Sequence, residues 1–530
     1  MQTPKVLVAD PISQRGVDEL AAGGALDVTV QTGLPEAELL KIIPDFAGLV
    51  VRSQTKVNAN VLAAATNLKV VGRAGVGVDN VDIDVATQNG VIVMNTPGGN
   101  TISTAELAFS LIVSLARRIP EADASLKAGR WDRKKFQGVE LNGKTLGILG
   151  MGRIGTEVAR RAIAFGMHVV AYDPYLSASR ARSLQVDLID TIDDLLPKAD
   201  FITMHMPLTD ETKHMLDARR LALCKKEARI VNCARGGLID EAALKTALDE
   251  GLIAGAALDV YETEPPPADF PLRDTPGMVF TPHLGASTAE AQENVGIEIA
   301  QAIRAALLEG EIRNAVNVPS IDARTLATLG PWIDLCDRLG RFASQIAPKR
   351  AETLRVRYSG KIADQELTSM TRSVLTGYLK QVAGTEVNQV NAPALAKNLG
   401  LKIIESRHSE AGEFSDLIEV IVECGEECAT VGGTLYGAKP RLVTVNNHFV
   451  EIVPVGTVLL LENRDRPGIV GHIGTLLGEE SVNIASMSLS RDAVGGTALT
   501  LLNLDTVPKD EVVSKLLGDP DLQSAKVIRL

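Results

Sequence analysis

The chain has 530 residues, which is too long for a single hydrophobic core and predicts roughly three or four domains. Its composition, 45% hydrophobic and 23% charged, is typical of a globular protein, and it has no apolar run long enough for a membrane span. The net charge of −12 disfavours a nucleic-acid-binding surface, so neither nucleic acid nor membrane is a predicted partner, and an anionic substrate would need local cations.

Strands and helices alternate along residues 1–99, which is typical of a doubly wound α/β domain with a parallel sheet. The predicted strands are 5–9, 27–31, 47–51, 68–71 and 91–94, and the predicted helices are 13–20, 36–42 and 58–64. Ligands of such sheets bind at the carboxyl ends of the strands. Arg52 and Ser53 in VVRSQT and Arg73 and Gly75 in VVGRAG follow two of these strands. Most arginines are solvated surface charges, but a position directly after a buried run favours anion binding.

The sequence TISTAELAFSLIVSLARR predicts a long helix over 101–118 that crosses between domains, with Ser103 and Glu106 as a capping box. The following WDRKKFQG contains a basic run that includes Arg133 and Lys134. Such a run is usually a solvated face. Here it lies between two aromatic residues of an acidic chain, so it is a candidate for phosphate binding, including binding across a subunit boundary.

The sequence GMGRIG, from Gly150 to Gly155, has the glycine spacing of a dinucleotide-binding loop. The motif alone is weak and could be an ordinary glycine-rich turn, but a predicted strand over 144–149 precedes it and a predicted helix over 156–165 follows it. The amino end of that helix would bind the pyrophosphate. Asp173 then follows a second apolar run, where a carboxylate binds ribose hydroxyls and repels a 2′-phosphate. The predicted cofactor is therefore NAD rather than NADP.

Three later segments place ionisable side chains at strand ends of the second predicted sheet: NCARGG with Arg235, ALDVYETEP with Glu264, and TPHLGAST with His283. Oxidation of an alcohol beside a carboxylate needs a base for the hydroxyl proton, a fixed cation and a hydride acceptor. Histidine is a suitable base, and a neighbouring carboxylate holds its ring in one tautomer. His205 in MHMPLT is the competing candidate, but it has no acidic partner nearby in sequence and is interpreted as part of the wall. Cys233 is interpreted as a packing residue.

Taken together, GMGRIG, YDP, NCARGG, ALDVYETEP and TPHLGAST resemble the D-2-hydroxyacid dehydrogenase family. GRAGVGVDN, MNTPGGNTISTAE and WDRKKFQG are similar to its D-3-phosphoglycerate dehydrogenase branch, and the resemblance covers essentially the whole chain. It implies NAD-dependent oxidation of 3-phospho-D-glycerate to 3-phosphohydroxypyruvate, the first step of the phosphorylated pathway of L-serine biosynthesis.

The resemblance also implies roles for individual residues. Arg235 anchors the substrate, Glu264 orients the base, His283 exchanges the proton, and Asp259 faces the nicotinamide carboxamide. Val76 departs from the threonine that the family often has there. The predicted cofactor-binding residues are Gly150, Gly152, Arg153, Ile154, Gly155, Asp173, Pro207, Cys233, Ala234, Asp259 and Gly285. The predicted substrate-binding residues are Arg52, Ser53, Arg73, Gly75, Arg133 and Lys134, and no metal site is predicted.

The resemblance further implies a domain order in which an NAD-binding domain, 100–286, is inserted into a substrate-binding domain made of 1–99 and 287–319. Hinges near 97–100 and 287–290 would let the cleft between them close. Residues 320–454 are predicted to form an intervening α+β domain that begins with a helix over 325–347 and has glycine turns at Gly360, Gly432 and Gly437. Residues 455–530 predict the strand and helix order of a ferredoxin-like fold and resemble an ACT regulatory domain.

The segment ENRDRPGIV lies just before a predicted helix of that last domain. A plain capping turn is the simpler interpretation. The resemblance, however, implies that a small amino acid such as L-serine binds there, with Asn463, Asp465 and Asn483 as the predicted effector-binding residues. The exposed edge strands of such a fold pair readily, so a homo-oligomer, dimer or tetramer, is predicted.

Two other classes of function stay open at this point. One is a relative that acts on glyoxylate, hydroxypyruvate or another unphosphorylated acid, and the other is a non-enzymatic dinucleotide sensor similar to the family's transcriptional corepressors. The C-terminal domains and the cations Arg52, Arg73 and Arg133 favour the phosphoglycerate dehydrogenase. The start of the chain has no signal-peptide pattern and its five cysteines are scattered, which predicts a cytoplasmic protein.

Overall fold

A computed structural model describes residues 3–383 and 386–530. The described chain forms four sheets: a five-stranded and a seven-stranded parallel sheet, a six-stranded mixed sheet and a four-stranded antiparallel sheet. The predicted fold class, two doubly wound domains followed by an α+β and a ferredoxin-like domain, is confirmed. Among the described residues, no helix is both long and apolar enough to cross a membrane.

The first sheet has the strand order β2-β1-β3-β4-β5, which is the flavodoxin-like order. Its strands are β1 (Lys5–Val8), β2 (Asp27–Val30), β3 (Gly48–Val51), β4 (Val70–Arg73) and β5 (Ile92–Met94), with helices α1 (Gln14–Ala21), α2 (Glu36–Ile42), α3 (Ala59–Ala64) and α4 (Ile83–Gln88). The predicted elements agree with these bounds within two residues. Helices cover both faces of the sheet, so the central β3 is buried along its whole length.

The second sheet begins after the long helix α5 (Thr101–Arg117) and has the order β12-β11-β10-β9-β6-β7-β8, with every pairing parallel. Its strands are β6 (Thr145–Leu149), β7 (His168–Tyr172), β8 (Asp187–Leu188), β9 (Phe201–Met204), β10 (Arg229–Asn232), β11 (Gly255–Leu258) and β12 (Met278–Phe280). Its helices are α6 (Ile119–Lys127), α7 (Arg153–Ala164), α8 (Ala178–Ser183), α9 (Ile192–Leu195), α10 (Ala218–Leu221) and α11 (Glu241–Asp249). The order reverses between β6 and β9, at the place where dinucleotides bind in this type of sheet.

The chain then returns to the first sheet through helix α12 (Ala289–Arg304), which packs against α1 and β4. The two helices meet at glycines, because a Cβ atom on Gly16 would lie only 2.7 Å from the backbone of Gly296. The seven-stranded sheet is therefore inserted between elements that pack on the five-stranded one. The domain limits given above stay predictions.

The third sheet has the order β14-β13-β15-β16-β17-β18 and packs against the long helix α13 (Ala323–Ile346). Its elements are β13 (Thr353–Gly360), α14 (Thr368–Leu379), α15 (Ala392–Asn398), β14 (Lys402–His408), β15 (Asp416–Cys424), β16 (Glu427–Tyr436), β17 (Lys439–Val445) and β18 (His448–Ile452). The prediction of a turn at Gly432 is wrong. This glycine lies inside β16 at a bulge, where Thr444 Oγ1 occupies the space that a side chain would need.

The fourth sheet has the order β20-β21-β19-β22, which is ferredoxin-like. Its elements are β19 (Thr457–Arg464), α16 (Ile469–Glu479), β20 (Ile484–Arg491), β21 (Thr497–Leu504), α17 (Asp510–Leu517) and β22 (Leu522–Arg529). The buried faces of α16 and α17 and one face of β19 form a separate core, so this unit has its own hydrophobic centre.

Candidate active site

The three glycines of GMGRIG each meet a different steric requirement. Gly150 has φ +97° and packs 2.7 Å from His205 O, measured from the Cβ position that it lacks. Gly152 has no atom within 4 Å of that position, so its backbone is open to a ligand. Gly155 packs directly on the carbonyl of Gly150. This arrangement presents the amino end of the 12-residue helix α7 as an anion site.

Asp173 lies at the carboxyl end of β7, beside this loop. Its Oδ2 accepts a hydrogen bond from Met151 N at 2.7 Å, and its Oδ1 accepts one from Tyr175 N at 2.8 Å. The carboxylate is half-buried and fixed by these two amides. A negative charge is therefore held at the end of the glycine loop, where the predicted ribose site lies.

The other predicted cofactor residues lie around the same edge of the sheet. Arg153 is exposed at the start of α7, whereas Ile154 is packed against the core. Pro207 is exposed after β9, and Ala234 N donates to Asn232 Oδ1 at 3.0 Å after β10. Cys233 is buried, and burial together with the nearby carboxylate of Asp259 raises the pKa of its thiol, which fits the packing role.

His283 and Glu264 form a direct pair, as predicted, with His283 Nδ1 and Glu264 Oε2 2.7 Å apart. The other carboxylate oxygen, Glu264 Oε1, accepts a hydrogen bond from Tyr261 N at 3.1 Å. Half of the His283 side chain is exposed, so the ring is accessible from solvent. A carboxylate on Nδ1 fixes this nitrogen as the donor and makes Nε2 the proton acceptor.

Asp259 holds the backbone that follows His283. Its fully buried carboxylate accepts hydrogen bonds from Thr281 Oγ1 at 2.6 Å, from Leu284 N at 2.7 Å and from Gly285 N at 2.9 Å. These bonds keep His283 at φ +56°, in the left-handed region that few residues adopt. The role of Asp259 at the nicotinamide stays a prediction, and its observed contacts give it a second role in positioning His283.

The amino end of α5 also holds this loop. Ser103 Oγ and Thr104 Oγ1 each donate to Gly285 O at 2.9 Å. The predicted capping box is wrong, because Ser103 donates to Gly285 O and Asn100 O instead of capping its own helix. The amino end of α5 therefore helps to fix the loop that follows His283.

Arg235 follows β10 and packs beside the loop that contains Glu264. Gly236 lies directly against the carbonyl of Tyr261, the residue whose N–H holds Glu264. The backbone of Arg235 is fixed by Asn232 Nδ2, which donates to Arg235 O at 2.8 Å. The strands β10, β11 and β12 are parallel neighbours, so Arg235, Glu264 and His283 project from the same edge of the sheet.

The predicted substrate-binding arginines of the first sheet lie near Arg235. Burial is the largest cause that lowers the pKa of Arg73 to about 10, and the positive charge of Arg235 is the second. The charge of Arg52 acts in the same direction. Arg73 folds over Gly75, where its guanidinium occupies the space of the missing side chain. Arg52 and Arg235 thus lie near enough to Arg73 for their charges to act on it, an arrangement that suits a polyanionic substrate.

The loop that carries Arg52 and Ser53 is anchored by the buried Asp10. Its carboxylate accepts hydrogen bonds from Arg52 N at 2.6 Å, from Gln54 N at 3.2 Å and from Thr55 N at 3.1 Å. Ser53, inside this loop, is exposed to solvent. Asp10 was not among the predicted site residues, although it lies two residues after β1 and has a strand-end signal similar to that of Arg52.

Arg133 and Lys134 lie on an exposed 3-10 turn, Arg133–Phe136. Their neighbour Lys135 pairs with Asp132 at 3.0 Å. Within residues 3–383 and 386–530, no acidic side chain lies within 4.0 Å of either Arg133 or Lys134. Among the described residues both cations are therefore without an ion pair, and their substrate role stays a prediction.

His205, the competing base, lies just after β9 and contacts Thr203. Burial lowers its pKa to about 4, and its Nε2 lies 3.0 Å from Thr203 Oγ1. This contact does not involve a carboxylate. The pairing of a histidine with a carboxylate is therefore found at His283 and not at His205.

The predicted effector residues have partners within the fourth sheet and its loops. Asn463 is fully buried in β19. Asp465 Oδ2 accepts a hydrogen bond from Arg491 Nη1 at 2.8 Å, which lowers the pKa of the carboxyl group. Asn483 Nδ2 donates to Asp505 Oδ2 at 2.7 Å. The role of these residues in effector binding stays a prediction.

Comparison with protein families matches three parts of the chain. Residues 109–285 match the D-isomer specific 2-hydroxyacid dehydrogenase, NAD binding domain. Residues 328–446 match the D-3-phosphoglycerate dehydrogenase intervening domain, and residues 457–519 match the ACT domain. The matched segments correspond to the second, third and fourth sheets.

Individual proteins match over the full length. D-3-phosphoglycerate dehydrogenase of Methanocaldococcus jannaschii is 44% identical over 99% of this chain and 100% of its own, and that of Bacillus subtilis is 41% identical over 99% of both. A crystal structure of the TT0316 protein of Thermus thermophilus has a TM-score of 0.54 and 38% identity, covering 59% of this chain and 99% of that one. The resemblance seen in the sequence is confirmed, and the chain belongs to the D-3-phosphoglycerate dehydrogenases of the D-2-hydroxyacid dehydrogenase family.

Proposed function

We propose that this protein oxidises 3-phospho-D-glycerate to 3-phosphohydroxypyruvate with NAD. The observation that carries this proposal is the 2.7 Å pair of His283 and Glu264 at the same sheet edge as Arg235. A base with a fixed tautomer and a cation for a carboxylate are what oxidation of a 2-hydroxy acid needs. Membership of the phosphoglycerate dehydrogenases supports the same substrate.

The residues of the second sheet fit NAD. Gly152 leaves an open backbone at the amino end of α7, and Asp173 holds a carboxylate beside it. The open backbone would receive the pyrophosphate and the carboxylate the ribose hydroxyls. When bound, NAD supplies the oxidant, which accepts a hydride from C2 of the substrate.

The chain's own residues perform the proton transfer and the orientation of the substrate. Arg235 binds the carboxylate and fixes the position of C2. His283 Nε2 takes the hydroxyl proton as the C2–O bond becomes a carbonyl. Glu264 holds the ring and stabilises the imidazolium that forms. In the reverse reduction, His283 returns the proton.

A steady-state assay with 3-phosphoglycerate and NAD tests the function directly. Formation of NADH with this substrate supports the proposal. If 3-phosphoglycerate gives no NADH while hydroxypyruvate or glyoxylate oxidises NADH, the protein is a relative specific for unphosphorylated acids. If no substrate reacts while NAD still binds, the protein is a dinucleotide sensor.

Replacing Asp173 with alanine should weaken NAD and relax the rejection of NADP. The carboxylate repels a 2′-phosphate, so its loss should reduce the ratio of kcat/KM for NAD over NADP by at least about tenfold. Steady-state kinetics with both cofactors measure this ratio. Asp187→Ala, on the neighbouring strand β8, removes an exposed acid of the same sheet and is the matched control. An unchanged ratio in Asp173→Ala would assign the discrimination to other residues.

We also propose that the substrate phosphate binds Arg52 and Arg133. Arg52→Gln and Arg133→Gln should raise KM for 3-phosphoglycerate about tenfold more than for an unphosphorylated 2-hydroxy acid, because only the former carries the phosphate dianion. Lys135→Gln is the matched control in the same basic run, since Lys135 is already paired with Asp132. Equal losses on both substrates would indicate general electrostatics rather than a phosphate site.

Regulation and assembly form a further part of the proposal. The match to the ACT domain supports binding of a small amino acid, and we propose L-serine. Its ammonium group would replace Arg491 at Asp465. Calorimetric titration of L-serine into the wild type and into Asn483→Ala is expected to show binding only to the wild type, and absence of heat with both proteins would contradict it. We also propose that the protein forms a homo-oligomer and that it is cytoplasmic.

A further inference from the structure

Asp79 links the two sheets of the catalytic unit and has no part in the function proposed so far. It lies in the loop between β4 and α4, and its Oδ2 is 3.6 Å from Nε of Arg235, which follows β10. Gly77 makes the approach possible, because the guanidinium of Arg235 occupies the space where a side chain would stand. Asp79 of the five-stranded sheet domain therefore lies beside Arg235, the proposed substrate anchor, of the seven-stranded sheet domain.

Asp79 lies among positively charged side chains. The positive charges of Arg235 and Arg52 disfavour the charge of Arg73, and the negative charge of Asp79 offsets part of that effect. The Asp79 side chain is 76% exposed, whereas that of Arg235 is 28% exposed. The exposed partner can move into solvent, while the arginine is held by its packing against the glycine loop.

The contacts of Arg235 leave little room for a second anion at Nε. Nη1 already donates to Ala234 O at 2.7 Å, and Nε faces Asp79. A two-pronged grip on a carboxylate needs two adjacent N–H groups of the guanidinium. A substrate carboxylate that binds the Nε edge of the guanidinium must therefore compete with the carboxylate of Asp79.

We propose that Asp79 is a counter-ion that occupies Arg235 in the free enzyme and is displaced by the carboxylate of the substrate. This inference rests on the proposed function, since it assigns that carboxylate to Arg235. An exposed ion pair of this kind is worth little, so displacement lowers substrate affinity only modestly. While the cleft is empty, the negative charge of Asp79 compensates the positive charge of Arg235. Asp79 thus tunes substrate affinity without taking part in the chemistry.

The test is Asp79→Asn in the full-length enzyme. We expect KM for 3-phosphoglycerate to fall about threefold with kcat unchanged within about twofold, because the variant removes a competitor but no reacting group. The dependence of kcat/KM on salt concentration should become steeper, since the cleft carries one more uncompensated positive charge. Asp79→Glu keeps the charge and should keep the wild-type KM. Asp79→Ser provides a second neutral variant in case Asp79→Asn fails to fold.

Asp84→Asn is the matched control, because it removes an exposed acid from the helix that follows the same loop. It should change neither KM nor the salt dependence. If KM is unchanged or raised in both neutral variants of Asp79, the proposed counter-ion role is wrong. The same fall in KM in Asp84→Asn would also contradict it.

A second measurement separates this inference from the proposed function. If the wild type does not turn over 3-phosphoglycerate, the function fails, but malonate, a simple carboxylate, can still be titrated by thermal shift into the wild type and Asp79→Asn. Stronger stabilisation of the variant than of the wild type supports the counter-ion. Equal stabilisation would overturn it.

Discussion

Replacing Arg235 with lysine should reduce turnover of 3-phosphoglycerate on the order of 100-fold while NAD binding is retained. Lysine keeps the positive charge but offers a single ammonium group, so the carboxylate loses its planar two-pronged partner and C2 loses its fixed position. Arg235 lies after β10, whereas the glycine loop that would bind the pyrophosphate follows β6, so binding of the pyrophosphate should be unaffected. Steady-state kinetics measure turnover, and titration with NAD measures cofactor binding.

Arg219→Lys is the matched control for this prediction. Arg219 makes a two-pronged pair with Asp193 on the same sheet unit, with Nη1 and Nη2 at 2.5 and 3.3 Å from the two carboxylate oxygens. Its side chain is 59% exposed, so loss of the pair should leave turnover at the wild-type value. If Arg235→Lys also kept wild-type turnover, Arg235 would not be the residue that anchors the substrate.

The sequence was sufficient for the sheets and for the edge at which the site lies. Buried runs such as Gly48–Val51 have no polar side chain to place in water, so they predict strands that are covered on both faces. Arg235 and Glu264 follow such buried runs within a few residues, and His283 follows the partly buried edge strand β12. Because the carboxyl ends of parallel strands share one edge, their convergence could be predicted without coordinates.

Contacts between distant parts of the chain could not be predicted in this way. Ser103 has the local pattern of a capping box, yet its hydroxyl donates to Gly285 O, 182 positions away in sequence. Local propensity gives no information on such a partner, and the tertiary contact replaced the local one. Asp79 was missed for the same reason, since its partner Arg235 lies on the other sheet. The motif GVGVDN contained the signal only as an acidic residue at the end of a glycine loop.

Replacing His283 with asparagine should have a larger effect than any other change. The variant removes the group that takes the hydroxyl proton, and a positioned general base typically contributes about 10²–10⁴-fold to the rate. KM for 3-phosphoglycerate should change much less than kcat, because Arg235 and the cations of the first sheet still bind the substrate. Single-turnover formation of NADH with the purified variant measures the remaining rate of the chemical step.

Glu264→Gln and the double variant decide whether the two residues act as one unit. Glutamine can still accept a hydrogen bond from His283 Nδ1 but no longer stabilises the imidazolium, so we expect a loss on the order of 100-fold, smaller than that of His283→Asn. Because Glu264 acts through the ring of His283, the double variant should lose no more than His283→Asn alone, as residues of one catalytic unit do. Losses that multiply in the double variant would show that Glu264 contacts the substrate or the cofactor independently, and the 2.7 Å pair would then not be the source of its effect.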